Sequence, residues 1–212
     1  MRGALIGMVL LALAATGCGG ENSNTSGSGD CENVESAAPR DPETLKPPAQ
    51  NLDPSRTYSL TFDTSCGSFV VRLDTKLAPK TAASLVKLAR GGYFDDTIFH
   101  RIVPDFIIQG GDPTQTGAGG PGYSVVDKPP ADARYSKGTL AMAKTPAETA
   151  GTSGSQFFVV TAGDAGLPPD YAIAGKVTDG LEVVDRIGKL GDATEHPTQP
   201  VVIRTVRVAE SP

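Results

Sequence analysis

Arg101 has the setting that most demands a chemical explanation. It lies in FHRIVPDFIIQ, Phe99 to Gln109, among Phe99, Ile102, Val103, Phe106, Ile107 and Ile108, all residues of the kind that bury. A guanidinium in such company is costly unless it is paired, hydrogen-bonded or left at the rim of a cleft to meet a ligand. The last option makes Arg101 a candidate for chemistry by charge and hydrogen bonding. Directly after the run, Gln109-Gly110-Gly111-Asp112-Pro113 carries paired glycines and an Asp-Pro step, which turn the chain tightly.

The residues around Arg101 offer little other chemistry. Strand neighbours point to opposite faces, so if Arg101 faces a cleft His100 faces inward and reads as a hydrogen-bonded core histidine. The only other histidine, His196, sits in a Pro-rich loop, and no Cys/His/Asp cluster has metal-ligand spacing, so no metal is expected. Gly117-Ala118-Gly119-Gly120-Pro121-Gly122 matches G-x-G-x-x-G by letter. A dinucleotide loop needs a strand before it and a helix after it, and here Thr114-Gln115-Thr116 precedes and Pro121 follows. The loop reads instead as a wall of the cleft, and no cofactor is expected. Ser153 and Ser155 lack a G-x-S-x-G elbow and a base partner and read as turn residues.

The wording of Phe99 to Tyr123 closely resembles the signature of cyclophilin-type peptidyl-prolyl isomerases. Gly154-Ser155-Gln156-Phe157-Phe158-Val159-Val160-Thr161 resembles the second motif of that family, and Gly175-Lys176-Val177 with Gly180 the third. In order and spacing the resemblance covers roughly Tyr58 to Val208. Carried over position by position, it implies that Arg101 is the catalytic arginine. It implies a proline-ring pocket of Phe106, Ile107, Phe158 and Leu167, with Tyr171 at its edge. Gln109, Ala143 and Gln156 would line the peptide groove. The implied substrates are proline-containing peptides and unfolded exported proteins.

The elements that must position these residues follow from periodicity. Tyr58, Leu60 and Phe62 alternate, as do Phe69, Val71 and Leu73 after a turn at Cys66-Gly67, which suggests a hairpin. Pro79 opens a helix with Ala82, Leu85, Val86 and Ala89 on one face, and Gly91-Gly92 stops it. Strands are expected over Thr97 to Val103, Phe106 to Gln109, Thr139 to Ala143, Gln156 to Val160, Ala172 to Val177 and Val201 to Val208. Asp179 and Glu182 suggest a capping box for a helix near Leu181 to Ile187. Many short strands with two helices predict a mainly β fold, and the resemblance implies an eight-stranded antiparallel β-barrel capped by two helices.

The first residues read as a targeting segment. Arg2 is a one-charge n-region, Leu5 to Ala15 is an apolar stretch too short to span a bilayer, and Ala15-Thr16-Gly17-Cys18 ends it with small residues. This predicts a signal peptide over 1–17. A cysteine at that place resembles the lipobox of bacterial lipoproteins, whose thiol carries acyl chains such as palmitate, with ordinary cleavage nearby as the alternative. Residues 18–55, rich in Gly, Ser and Pro, read as a lipid-anchored flexible linker, and 56–212 as the isomerase domain. The expected location is the extracytoplasmic side of the cell membrane. Of three cysteines, removing Cys18 leaves Cys31 and Cys66 in a disulfide-permissive compartment, either bridged or free. A formal charge of −5 and a pI near 5.0 give no basic footprint, so no nucleic acid partner is expected, and a monomer is.

The chain departs from the family pattern at several places. It has no tryptophan, and Gly166 stands where the family often places one before the pocket leucine. Lys144 stands where Asn is common, Ala174 replaces an expected Phe, and the loop from Thr145 to Thr152 is long. These changes leave open a second class of function, a non-catalytic proline-peptide-binding chaperone module.

Overall fold

Strand β1 (Thr57–Thr64) buries Tyr58, Leu60, Phe62 and Thr64 at every second position, and β2 (Gly67–Leu73) buries Phe69, Val71 and Leu73. That period of two faces one side of each strand to the core, and Phe62 stands opposite Phe69 with the rings stacked at 4.7 Å. The structure, a computed structural model, describes residues 30–212, so the signal peptide and Cys18 lie outside the described residues.

After β2 comes helix α1 (Pro79–Arg90), opened by a proline in its first turn and buried along its apolar face from Thr81 to Ala89. Short strands follow: β3 (Thr97–Ile98), β4 (Arg101–Val103), β5 (Ile107–Gly110), β6 (Val125–Val126), β7 (Thr139–Met142), β8 (Thr152–Ser153) and β9 (Phe157–Val160). The chain ends with β10 (Ile173–Asp179), helix α2 (Leu181–Gly188) and β11 (Val202–Ser211). One antiparallel sheet holds nine strands in the order β3-β11-β1-β2-β10-β7-β9-β5-β4, and β6 pairs with β8 separately.

The fold is therefore mainly β with two helices, as expected, but among the described residues the main sheet holds nine strands and not eight. The segment Thr97 to Val103 was expected as one strand and is two. At Phe99 and His100 the ladder breaks, because the Phe99 N–H bonds the Val201 carbonyl at 3.0 Å and the Ile102 N–H bonds the Glu195 carbonyl at 3.0 Å. The two edge strands of the sheet, β3 and β4, are thus consecutive in the chain, and the sheet curls until a covalent kink joins its edges. The expected capping box is also corrected. Gly180 is the residue before α2, in a left-handed conformation, and no side chain caps the helix. A Cβ there would fall 2.4 Å from the Ser68 carbonyl oxygen, so the strand-to-helix corner packs on β2 too closely for any other residue.

Two apolar clusters lie on opposite faces of the curled sheet. The larger fills the interior, with Phe62, Phe69, Phe94, Phe99, Ile102, Ile108, Leu140 and Phe157 among its buried members. The smaller lies outside and gathers Ile107, Tyr135, Ala141, Phe158 and Val160, with Phe106, Ala143, Leu167, Tyr171 and Ile173 packed against them.

Of the linker expected over 18–55, the described part has neither helix nor strand and runs against the domain. Cys31 is bonded to Cys66, the Glu32 N–H donates to the Ser65 carbonyl at 2.8 Å, and Leu45 and Leu52 pack on the main core. Among the described residues no helix is long and apolar enough to cross a membrane.

Candidate functional site

Arg101 in β4 stands opposite Gln109 in β5, Gln109 opposite Phe158 in β9, and Phe158 opposite Ala141 in β7. Directly opposed residues of antiparallel strands share a face, so this row and Ile107, two residues from Gln109, all point away from the barrel interior. Their neighbours Ile102, Ile108, Phe157 and Val159 point inward and are fully buried. The outer face thus carries an apolar patch of Phe106, Ile107, Phe158, Leu167 and Tyr171, with Arg101 and Gln109 beside it. Every groove and pocket residue expected from the sequence falls on this face or on the adjoining cleft, where Ala143 and Gln156 join Gln109.

The guanidinium is fixed from two sides. Its Nε donates to Glu195 Oε2 at 2.7 Å, and one terminal nitrogen donates to Gln109 Oε1 at 3.1 Å. Gln109 Nε2 donates in turn to Gln156 Oε1 at 3.1 Å, and Gln156 Nε2 donates to the carbonyls of Gly117 and Gly119, both at 2.9 Å. Glu195 sits in a left-handed conformation, φ 67°, in the loop that also receives the Ile102 N–H. Arg101 is a little over a third exposed, so its pairing with Glu195 adds little stability and serves mainly to orient it.

The glycine loop is held by a carboxylate of the chain itself. Asp112 is fully buried. It accepts the N–H groups of Thr114 at 2.8 Å, Gly117 at 2.7 Å and Gly119 at 3.1 Å, and the Thr114 hydroxyl at 2.8 Å. Burial pushes its pKa up, but these donors outweigh burial and leave it below the usual carboxylate value. A Cβ at Gly119 would fall 2.1 Å from the Asp112 carboxylate. The glycines therefore wrap an internal anion as a dinucleotide loop wraps a phosphate, and they present their carbonyls to Gln156.

The far edge of the apolar patch rests on Tyr135 and Asp170, which the sequence does not single out, and on Lys144, which it does. Buried Tyr135 donates its hydroxyl to the Tyr171 carbonyl at 2.7 Å and accepts the Tyr171 N–H at 3.0 Å. Lys144 lies 5.6 Å from the centre of the Tyr171 ring and pairs with Asp170 at 2.9 Å, its side chain only 3% exposed. The lysine noted as a departure thus braces the pocket edge from behind. Gly166 has open space around it, with no atom within 4 Å of where a Cβ would stand.

Two expectations are corrected here. His100 is half-buried rather than a core residue, and neither of its solvent-shielded ring nitrogens finds a hydrogen-bond partner among the described residues. The break in the ladder at His100 turns its ring under the glycine loop, where Gly117 offers no side chain to bond it. Ser153 and Ser155 are buried, and Ser153 lies in β8 rather than in a turn, because β6 pairs with it. Ser155 locks the glycine corner by donating to the Gly111 carbonyl at 2.7 Å. The roles of Glu195, Asp112 and Tyr135 carry no local signal. Glu195 and Tyr135 act on residues 94 and 36 positions away, and Asp112 acts on the loop that follows it, where only the Asp-Pro turn marks it.

Comparison with known proteins bears on this geometry. The family model for "Cyclophilin type peptidyl-prolyl cis-trans isomerase/CLD" matches residues 59–208. A "Peptidyl-prolyl cis-trans isomerase-like 1" of Aspergillus oryzae is 41% identical over 154 residues, 70% of this chain and 94% of the relative. The human protein of the same description is 39% identical over 161 residues, 74% of this chain and 93% of the relative. A crystal structure of a cyclophilin type peptidyl-prolyl cis-trans isomerase from Cryptosporidium parvum superposes with a TM-score of 0.67 at 32% identity, covering 74% of this chain and 99% of that one. The same isomerase in the presence of the dipeptide Ala-Pro gives a TM-score of 0.66 at 31% identity, covering 71% and 98%.

His100 makes folding stability depend on pH. Burial holds its pKa below the usual 6.5, Asp112 partly opposes that, and Arg101 adds to it. In mildly acid solution the unfolded chain then binds a proton that the folded chain refuses, so this stability is present above about pH 6.5 and is lost progressively as pH falls below it, down through the lower folded-state value. Denaturant unfolding at pH 7.5 and 5.5 should show a smaller pH loss in His100→Gln than in the wild-type chain. Equal losses would refute this account.

Proposed function

The chain belongs to the cyclophilin-type peptidyl-prolyl cis-trans isomerase family, and from that premise we propose which residues carry its reaction and where it works. The reaction is rotation about the amide bond before proline. Its barrier of about 20 kcal/mol comes from resonance between the nitrogen lone pair and the carbonyl. No nucleophile or proton carrier is required. A catalyst lowers the barrier by favouring the twisted state, in which the nitrogen pyramidalises and its lone pair becomes a hydrogen-bond acceptor.

In our reading the proline ring sits against Phe106, Ile107, Phe158, Leu167 and Tyr171, and Arg101 donates to the nitrogen as it twists. The observation that carries this is the position of a guanidinium, already oriented by Glu195 and Gln109, at the border of an apolar patch that is separate from the core. A charge-assisted hydrogen bond contributes about 1.5–3 kcal/mol net, or one to two decades of rate. Gln109, Gln156 and Ala143 hold the peptide on either side of the bond. The relative solved in the presence of Ala-Pro supports a proline-containing ligand.

We further propose that the protein is an exported monomer, acylated at Cys18 and held on the extracytoplasmic side of the membrane, where it assists folding of exported proteins. Support comes from the residues before Cys18 and from the Cys31–Cys66 bridge, which suits an oxidising compartment. Two acyl chains suffice for stable anchoring.

Arg101→Ala should cut kcat/KM for an X–Pro peptide at least tenfold, with an unchanged circular dichroism spectrum and unfolding midpoint; equal activity would sink the assignment. Mass spectrometry of protein from its native host should find a mature N-terminus at Cys18 carrying lipid. A different N-terminus without lipid mass would refute anchoring.

A further inference from the structure

Residues 31–52 precede the part of the chain that the family model matches, yet they are fastened to the domain at both ends. At the start, Cys31 is bridged to Cys66, the Glu32 N–H donates to the Ser65 carbonyl at 2.8 Å, and Glu32 pairs with Arg204 at 2.6 Å. At the end, Lys87 of α1 donates to the Lys46 carbonyl at 2.6 Å, and Leu45 and Leu52 pack on the main core. A segment with neither helix nor strand is thereby drawn across the surface as a strap.

The strap crosses the glycine loop. The Arg40 N–H donates to the Pro113 carbonyl at 2.9 Å, and the Leu45 N–H donates to the Pro121 carbonyl at 2.8 Å. These two prolines bracket the run from Thr114 to Gly120, and a proline, lacking an N–H, can be held by its backbone only through the carbonyl. Within the run, Gln115 Nε2 donates to the Ala37 carbonyl at 2.9 Å. Thr44 approaches Gly122 so closely that a Cβ on the glycine would fall 2.8 Å from the Thr44 Cα. Arg40 reaches the same corner by a second route. Its guanidinium donates to the Tyr93 carbonyl and lies 5.8 Å from the centre of that ring, and the Tyr93 hydroxyl stands 3.3 Å from that of Ser155, which locks Gly111.

The loop is thus held from two sides. Inside, the Asp112 carboxylate gathers the N–H groups of Thr114, Gly117 and Gly119. Asp112 belongs to the same segment as its donors, so it sets chiefly the shape of the loop, and the strap bears on its place. Place is what the site uses. The carbonyls of Gly117 and Gly119 accept from Gln156, Gln156 accepts from Gln109, and Gln109 accepts from Arg101. A shift of the loop is passed along this chain to the guanidinium.

We propose that residues 31–52 are a positioning strap for the isomerase site, with Arg40 as its central residue: fastened by the Cys31–Cys66 bridge, the strap fixes the glycine loop, and through Gln156 and Gln109 the loop fixes Arg101. The proposal rests on the isomerase reading of the groove. It is tested on the full mature chain by opening the bridge. Dithiothreitol converts the bridge to two thiols and itself closes to a cyclic disulfide, giving up two electrons and two protons. In the reduced protein, well below its unfolding midpoint, kcat for an X–Pro peptide should fall at least about threefold with a smaller change in KM, since the guanidinium is looser and the apolar patch stands on other elements. The amides of Gly117 and Gly119 should exchange hydrogen faster. A Cys31→Ser, Cys66→Ser variant should match the reduced protein and be unaffected by the reagent. Arg40→Ala should lower kcat in the oxidised protein, and Arg40→Lys, which keeps a cationic donor for the Tyr93 carbonyl, should restore most of it. A lower unfolding midpoint with unchanged kcat would show that the strap only stabilises the fold and would overturn the proposal, as would full turnover in Arg40→Ala. If the oxidised protein accelerates isomerisation and the reduced protein does so equally, the strap alone fails; if the oxidised protein does not accelerate it, the isomerase reading fails with the strap.

Discussion

The site depends on one guanidinium being unable to turn away. Arginine has several rotatable bonds, and in the proposed reaction a mobile one would lose on ordering much of what a hydrogen bond to the twisted amide gains. Here the ordering is done in advance. Glu195 holds Nε, Gln109 holds a terminal nitrogen, Gln156 holds Gln109, and the glycine loop holds Gln156. The loop in turn closes on the Asp112 carboxylate, which is why a run rich in glycine, the most flexible residue, can act as a rigid support.

The sheet supplies the geometry for this row. Cross-strand pairing places Arg101, Gln109 and Phe158 side by side on the outer face, while the alternate residues fill the barrel. The kink at Phe99 and His100 lets one segment serve both edges of the sheet, and it carries the Glu195 loop to the edge where Arg101 lies. His100 stands at this corner with no partner for either ring nitrogen among the described residues. On the far side, Tyr135, Lys144 and Asp170 fix Tyr171, so the apolar patch is bounded by braced residues at both ends.

Much of this was legible in the sequence because it is written locally. The period of two in β1 and β2, the proline at the start of α1, and a lone arginine among apolar residues each signal their structure within a few positions. The groove residues became legible through motif resemblance, not periodicity, since Phe158 and Phe157 look alike in sequence and point to opposite faces. What stayed hidden lies in long-range contacts. Nothing near Glu195 announces Arg101, 94 residues away, and nothing in the Pro-rich strap announces the glycine loop it lies against. The capping box failed for a related reason: packing of Gly180 on β2 overrode a local preference.

The central claim is that in the proposed reaction, where Gln109 and Gln156 also hold the peptide, Asp112 acts on kcat chiefly through Arg101, along the chain of hydrogen bonds between them. A double-mutant cycle in kcat tests this directly, because Asp112 is fully buried and lines neither the apolar patch nor the cleft. Asp112→Asn should lower kcat at least about twofold in the wild-type background and leave it nearly unchanged in an Arg101→Lys background, as expected for residues coupled within one network. An equal fall in both backgrounds would contradict the account.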